Sequence, residues 1–198
     1  MPRILLTGGS GFIGSHTCLS LLENNYEVII LDSFVNSNPK SVAKVIEICK
    51  INNIETKDKI SLIQGDLRNK KLVSKVFEDA ILDGRPITGV IHFAGLKSVK
   101  ESIDKPLKYW DNNLISTINL LQVMENNGCN TIVFSSSATI YGQSEKDFLT
   151  EEAIKGPVNP YGNTKYVIEI LLNDIFENKL SNWNIANLRY FNPIGAHP

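Results

Sequence analysis

Six short apolar runs rich in β-branched residues alternate along this chain with longer segments of helical period, at residues 3–7, 27–32, 60–65, 87–94, 131–135 and 184–191. Several are nearly continuous in apolar side chains, as strands covered on both faces tend to be. That alternation builds a parallel sheet with helices on both sides, so a doubly wound α/β sheet is expected rather than a sandwich. With 198 residues and 42% hydrophobic content the chain can bury one substantial core.

Between the strands, Ile13, Cys18, Leu21 and Leu22 can share a helix face, and Leu107, Trp110, Leu114, Ile118 and Leu121 form a stripe on a long helix over 105–127. In a later helix Asn159 can cap and Pro160 can fill the first turn, after which Ile168, Leu171, Leu172, Ile175 and Phe176 recur at helical spacing. The residues of the first two stripes are expected in the core. Residues 33–41 and 142–156 have loop composition, and the charges of 52–59 and 83–86 are expected on solvated connections. No internal repeat, low-complexity tract or interdomain linker interrupts a single domain.

The 20 basic and 21 acidic residues give a formal charge of −1, so no large field draws nucleic acid or an anionic membrane. No segment approaches the roughly 20 apolar residues that cross a bilayer, and the first residues run straight into a strand without a signal-peptide pattern. Cys18, Cys49 and Cys129 are scattered and odd in number, which fits a reducing compartment. A soluble cytoplasmic protein acting on small molecules is expected. His16, His92 and His197 have no local ligand cluster, so no metal is expected.

Thr7-Gly8-Gly9-Ser10-Gly11-Phe12-Ile13-Gly14 joins the first strand to the first helix, with Gly8, Gly11 and Gly14 at three-residue intervals. Missing Cβ atoms there permit a tight turn, close approach of a pyrophosphate and close helix packing, while the helix amino terminus offers N–H groups to the anion. One extra residue separates the first two glycines relative to the usual dinucleotide fingerprint. Asp32 ends the second strand, where a carboxylate can accept from an adenosine ribose and repel a 2′-phosphate, so NAD is expected over NADP.

Tyr161 and Lys165 lie four residues apart, on one helix face if the helix starts at Pro160. A phenol ordinarily titrates near ~10, so a phenolate at neutral pH needs about 4 kcal/mol of favourable electrostatics, which Lys165 and a charged nicotinamide could supply. The strand ending at Ser135 runs into Ser136, Ser137 and Thr139, whose hydroxyls would stand where ligands gather in open parallel sheets. Spacing does not choose among the three serines, and a hydrogen-bonded turn accounts equally for each.

Residues 7–17, Phe93-Ala94-Gly95-Leu96-Lys97, residues 135–142, Tyr161 to Lys165 and residues 190–197 together resemble the UDP-galactose 4-epimerases, in family order and over nearly the whole chain. These belong to the extended short-chain dehydrogenase/reductases, so the resemblance implies a Rossmann-like domain, bound NAD and a UDP-hexose substrate. Carried over by motif position, Tyr161 is the base at the sugar 4-hydroxyl, Lys165 its electrostatic partner and a ribose ligand, and Ser137 the hydrogen-bonding partner at that hydroxyl. Gly8, Gly11, Phe12, Ile13, Gly14 and Asp32 fall at cofactor positions. Asp66 and Leu67 match the adenine side, Phe93, Ala94, Lys97, Tyr190 and Pro193 the nicotinamide side. Asn112 matches a position near cofactor and sugar, and Asn192 a UDP-sugar contact.

Departures stand at Phe12 for the usual Tyr, Ser33 for Asn, and Ser98 and Lys100 for Ala and Gly. The resemblance implies inversion at carbon 4 through a 4-keto sugar, with residues 1–198 an NAD-binding domain incomplete at its carboxyl end, the substrate domain absent and the isolated chain poorly active. A homodimer through the helix over 105–127 is also expected. Two competing readings are a nucleotide-sugar dehydratase, which would carry an acidic pair near Ala138-Thr139, and an NAD-binding regulatory module without turnover.

Overall fold

The computed structural model describes residues 1–142, 148–178 and 182–197. Six strands, β1 (Arg3–Thr7), β2 (Glu27–Asp32), β3 (Ile60–Gln64), β4 (Ile87–His92), β5 (Thr131–Ser137) and β6 (Asn184–Tyr190), form one sheet in the order β3-β2-β1-β4-β5-β6. All five pairings are parallel. The chain therefore reverses its winding between β1 and β4, and a crevice opens beyond the carboxyl ends of those strands.

Alternating side chains of the central strands feed two cores. Leu6, Val28 and Ile30 meet Cys18, Leu19 and Leu22 of α1 (Phe12–Glu23) and Val42, Val45 and Cys49 of α2 (Lys40–Ile51). Leu5, Ile29 and Leu31 face the other way, toward α3 (Lys70–Leu82), α6 (Ser116–Asn126) and α7 (Pro160–Glu177) through Phe77, Leu120, Met124, Ile168 and Leu172. A strand buried on both faces has no need of polar alternation, which explains the continuous apolar runs.

The expected strands hold to within a few residues. β3, β4 and β6 stop one or two residues early, and β5 continues two further, to Ser137. α2 starts at Lys40, inside the segment read as loop, and buries Val42, Val45 and Cys49 at helical spacing.

The expected long helix is corrected in two ways. A short helix, α4 (Val99–Asp104), precedes it, and its body is broken into α5 (Pro106–Trp110), a π-helical turn (Asp111–Ile115) and α6. The stripe is displaced as well: Leu107 is 83% exposed and Trp110 and Leu114 half-buried, while Tyr109, Asn113, Thr117 and Leu120 point inward. The inward polar groups are satisfied, since Tyr109 Oη accepts from Ser98 N–H at 3.0 Å and lies 3.2 Å from Glu101. In α7, Asn159 Oδ1 accepts from Gly162 N–H at 2.8 Å as the expected cap, but Phe176 is exposed at the surface end of the helix.

The charges of 83–86 are not merely solvated. Asp83 and Arg85 join buried Arg3 and Glu27 in an ion-pair cluster at the amino ends of the strands. Part of the expected 142–156 loop, residues 143–147, and the terminal Pro198 lie outside the described residues.

Candidate active site

The crevice at the carboxyl ends of the strands is a cleft of about 870 Å³. The glycine turn forms one wall. Gly8 sits at φ +68°, and a Cβ there would lie 2.6 Å from Ala94 N; a Cβ on Gly14 would lie 2.5 Å from Gly8 O. Neither position tolerates a side chain without moving the turn away from β4 or α1 away from the turn. Gly11 is the residue before α1, whose amino end carries no side-chain cap and lines the cleft with Phe12, Ile13 and Gly14.

Asp32 is buried and holds the turn to the loop that follows β2. Its Oδ2 accepts from Ser10 N–H at 2.9 Å, and its Oδ1 from Phe34 N–H at 2.9 Å and Ser37 Oγ at 2.7 Å. Asp66 lines the same end of the cleft, where the Arg68 guanidinium at 2.7 Å holds its carboxyl below the usual range. Arg68 also pairs with Asp111 of the π-helical turn, and Leu67 between them is buried.

At the other end stand Ser137, Tyr161 and Lys165. Ser137 and Tyr161 line the cleft together, and the Ser137 hydroxyl accepts from Thr139 Oγ1 at 3.0 Å. Burial pushes the phenol up, and the nearby Ser137 hydroxyl pulls the other way. Lys165, 5% exposed, donates to Ser135 C=O at 2.7 Å and stands 4.7 Å over the Phe134 ring. Burial brings its ammonium down to about 8.

The three serines left open by spacing are now distinct. Ser135 offers its carbonyl to Lys165, Ser136 bonds Glu169, and Ser137 faces Tyr161. Every residue given a catalytic, cofactor or substrate role from the sequence lines this one cleft: besides those above, Phe93, Ala94, Lys97, Asn112, Tyr190, Asn192 and Pro193 do so. The Phe93 and Tyr190 rings stand 6.3 Å apart, and the Asn112 amide donates to Lys108 C=O at 3.0 Å.

Asn113 is the residue that sequence reading missed. It is 2% exposed; its Oδ1 accepts from Leu96 N–H at 2.8 Å, and its Nδ2 donates to Leu96 C=O and to Thr164 Oγ1, both at 3.0 Å. It joins the segment carrying Ala94 and Lys97 to the helix carrying Tyr161 and Lys165. Its only signal is a polar residue inside a helical stretch. Among the described residues, no group of three or more His, Cys, Asp or Glu converges as a metal would require.

Residues 4–198 match the NAD dependent epimerase/dehydratase family. The chain belongs to that family. It is 45% identical to UDP-glucose 4-epimerase 2 of Arabidopsis thaliana over 98% of its own length and 53% of the relative's. Among solved structures, the UDP-glucose 4-epimerase of Stenotrophomonas maltophila, with bound NAD and formylated UDP-arabinopyranose, superposes with a TM-score of 0.88 at 38% identity. That match covers all of this chain and 55% of the other. The Bifidobacterium longum UDP-glucose 4-epimerase, in complex with NAD+ and UDP, gives 0.86 at 42% identity, covering 98% and 55%. This family member thus spans about half the length of the relatives it matches. Among the described residues, no helix is long and apolar enough to cross a membrane.

Proposed function

We propose that this chain is the NAD-binding and proton-transferring half of an enzyme that epimerises UDP-hexoses at carbon 4, interconverting UDP-galactose and UDP-glucose. The observation that carries this reading is that Ser137, Tyr161 and the buried Lys165, one helical turn on, line the same cleft as the glycine turn. The cleft fits NAD on its own features: a turn with no room for Cβ atoms, a helix amino end free of a side-chain cap, and a buried carboxylate with acceptor capacity beyond its three bonds. Gly8, Gly11, Phe12, Ile13 and Gly14 would hold the pyrophosphate, Asp32 the adenosine ribose, and Asp66 and Leu67 the adenine. Phe93, Ala94, Lys97, Asn112, Lys165, Tyr190 and Pro193 would line the nicotinamide side.

NAD, when bound, supplies a hydride acceptor and a positively charged ring. Tyr161 Oη takes the proton of the sugar 4-hydroxyl and later returns it. Ser137 shares a hydrogen bond with that hydroxyl and keeps the phenol aimed. Lys165, anchored by Ser135 C=O, holds a cation beside the ribose and the phenol, while Asn192 contacts the UDP-sugar. A phenol held high by burial must be brought down before it serves as a base at neutral pH, so proton transfer depends on charge arriving in the cleft.

We assign residues 1–198 to the NAD-binding half and place the cover over the hexose outside them, in keeping with a match to 53% of the Arabidopsis relative. The exposed apolar side chains Leu107 and Ile115 in the helical segment over 105–127 support a homodimer through it. Three buried free cysteines fit a cytoplasmic protein. A dehydratase is disfavoured by Ala138-Thr139, where an acidic pair would stand. A non-catalytic NAD-binding module has no use for Ser137, Tyr161 and Lys165 together.

The test joins these 198 residues to the unmatched remainder of the Arabidopsis relative and measures UDP-galactose turnover. The joined protein should epimerise, the 198-residue polypeptide alone should do so poorly, and Tyr161→Phe should cut kcat by about 10²- to 10⁴-fold while leaving NAD binding nearly intact. Near-normal turnover by a folded Tyr161→Phe protein would exclude this mechanism.

A further inference from the structure

Two of the three serines that close β5 are tied to α7 by hydrogen bonds, and the third shares the cleft wall with Tyr161 of that helix. Ser135 C=O accepts from Lys165 Nζ, the Ser136 hydroxyl donates to Glu169 Oε1, and Ser137 lines the cleft with Tyr161. On α7 the partners Tyr161, Lys165 and Glu169 follow at four-residue spacing, so they form one stripe along one helix face. The mechanism above uses the first two and gives Glu169 nothing to do.

Glu169 is 6% exposed, and a carboxylate so buried needs a compensating partner. Arg189 provides it: Nη2 donates to Oε2 at 2.8 Å, and Nε lies 3.1 and 3.3 Å from the two oxygens. Arg189 stands opposite Ser136 in the β5–β6 register. Its Nη1 donates to Tyr141 Oη at 2.7 Å and to Glu151 C=O at 3.0 Å, and its guanidinium lies 5.2 Å from the Tyr141 ring centroid. One ion pair thus binds the end of β5, the turn after it, α7 and β6 into a single unit behind the cleft wall.

We propose that Glu169 and Arg189 are positioning residues that hold β5 and α7 in the register at which Ser137 reaches Tyr161 and Ser135 reaches Lys165. One residue of helix rise is about 1.5 Å, enough to take a hydrogen bond out of range, so a small slip of α7 along β5 would separate both pairs. A buried ion pair is weak evidence for stability as such, since its desolvation offsets much of its attraction. Its effect here is on alignment, through the one serine that the chemistry does not occupy. The inference rests on Tyr161 being the base, but its test does not need turnover.

The chain has six tyrosines, and ¹³Cζ-tyrosine labelling with Tyr161→Phe as the assignment control lets the Tyr161 phenol be titrated by NMR in the chain without NAD. Ser136→Ala changes no charge. It should raise the Tyr161 pKa by about half a pH unit or more while the circular dichroism spectrum stays native, because a slipped β5 carries away the Ser137 hydroxyl that pulls the phenol down. Ser136→Thr, which keeps a hydroxyl, should restore the wild-type titration. Glu169→Gln adds a test of sign: loss of a negative charge through space lowers a phenol's pKa, whereas loss of register raises it. A rise supports positioning. An unchanged Tyr161 titration in Ser136→Ala, with only the unfolding midpoint lowered, would overturn the proposal, as would a fall in Glu169→Gln. If Glu169→Gln does not fold, the Ser136 pair decides. Failure of the proposed function would show separately, as turnover that survives Tyr161→Phe.

Discussion

Asp32 binds three donors of its own chain, Ser10 N–H, Phe34 N–H and Ser37 Oγ, before any ligand arrives. The same carboxylate that would select a ribose therefore also ties the glycine turn to the loop behind it. A 2′-phosphate brought against it would meet a buried like charge, so equilibrium titration should find NAD bound at least about tenfold more tightly than NADP, a difference near 1.4 kcal/mol. Asp32→Asn should bring that ratio toward one and weaken both ligands, because its amide nitrogen cannot accept from the donors that Asp32 holds. NADP binding as tight as NAD in the wild-type chain would reject the assigned role. At this scale the sequence was legible wherever a residue type is rare for its position: glycines at a strand–helix turn, an acid at a strand end, a phenol and an ammonium one helical turn apart. It was not legible where chemistry depends on which atom points where. Nothing in the run of serines from Ser135 to Ser137 distinguishes a carbonyl that anchors Lys165 from a hydroxyl that meets Tyr161.

The strands could be read because burial on both faces makes them nearly continuous in apolar residues, and their ends moved by only one or two positions. The helices were harder. The displaced stripe between Leu107 and Leu121 shows why: the π-helical turn at Asp111–Ile115 changes the helical phase, and the inward positions it creates are filled by polar residues whose partners lie far away in sequence. His92 is a second example, an apolar-looking strand end that joins two elements through a neutral ring. Thr117 Oγ1 donates its proton to Asn113 C=O at 2.6 Å, so it accepts from His92 Nε2 at 2.9 Å, leaving Nδ1 to accept from Thr7 Oγ1 at 2.7 Å. Burial first, and then the Lys165 charge, bring the imidazole down to about 3. A folded-state value below the unfolded one near 6.5 means that the unfolded chain takes up a proton that the native chain refuses. Stability is therefore unaffected above about pH 6.5 and falls as the pH drops from there toward 3. Urea unfolding at pH 7.5 and 5.5 should show about 1.4 kcal/mol of acid destabilisation from this group. His92→Asn should be less stable at pH 7.5 yet lose that part of the slope; an identical slope in the variant would mean that His92 is not held neutral.

For the whole molecule, the two cores on opposite faces of one parallel sheet leave a crevice where the winding reverses, and residues from 8 to 193 meet in it. That convergence was legible as motifs at the carboxyl ends of parallel strands. The packing that makes it was not, because Asn113 and the Glu169–Arg189 pair act through contacts that no local pattern announces. The chain by itself keeps the Tyr161 phenol above its ordinary value near 10, so the cleft is complete as a holder but not yet as a base. If NAD lies with its charged ring against Tyr161, its binding must lower that phenol, whereas NADH, whose nicotinamide ring is uncharged, should do so far less. ¹³Cζ-tyrosine titration of this chain, free and saturated in turn with each nucleotide, measures the difference directly. The expected result is a fall of about two pH units or more with NAD and a clearly smaller one with NADH; equal effects of the two, or a Tyr161 resonance indifferent to saturating NAD, would contradict the assignment of this cleft.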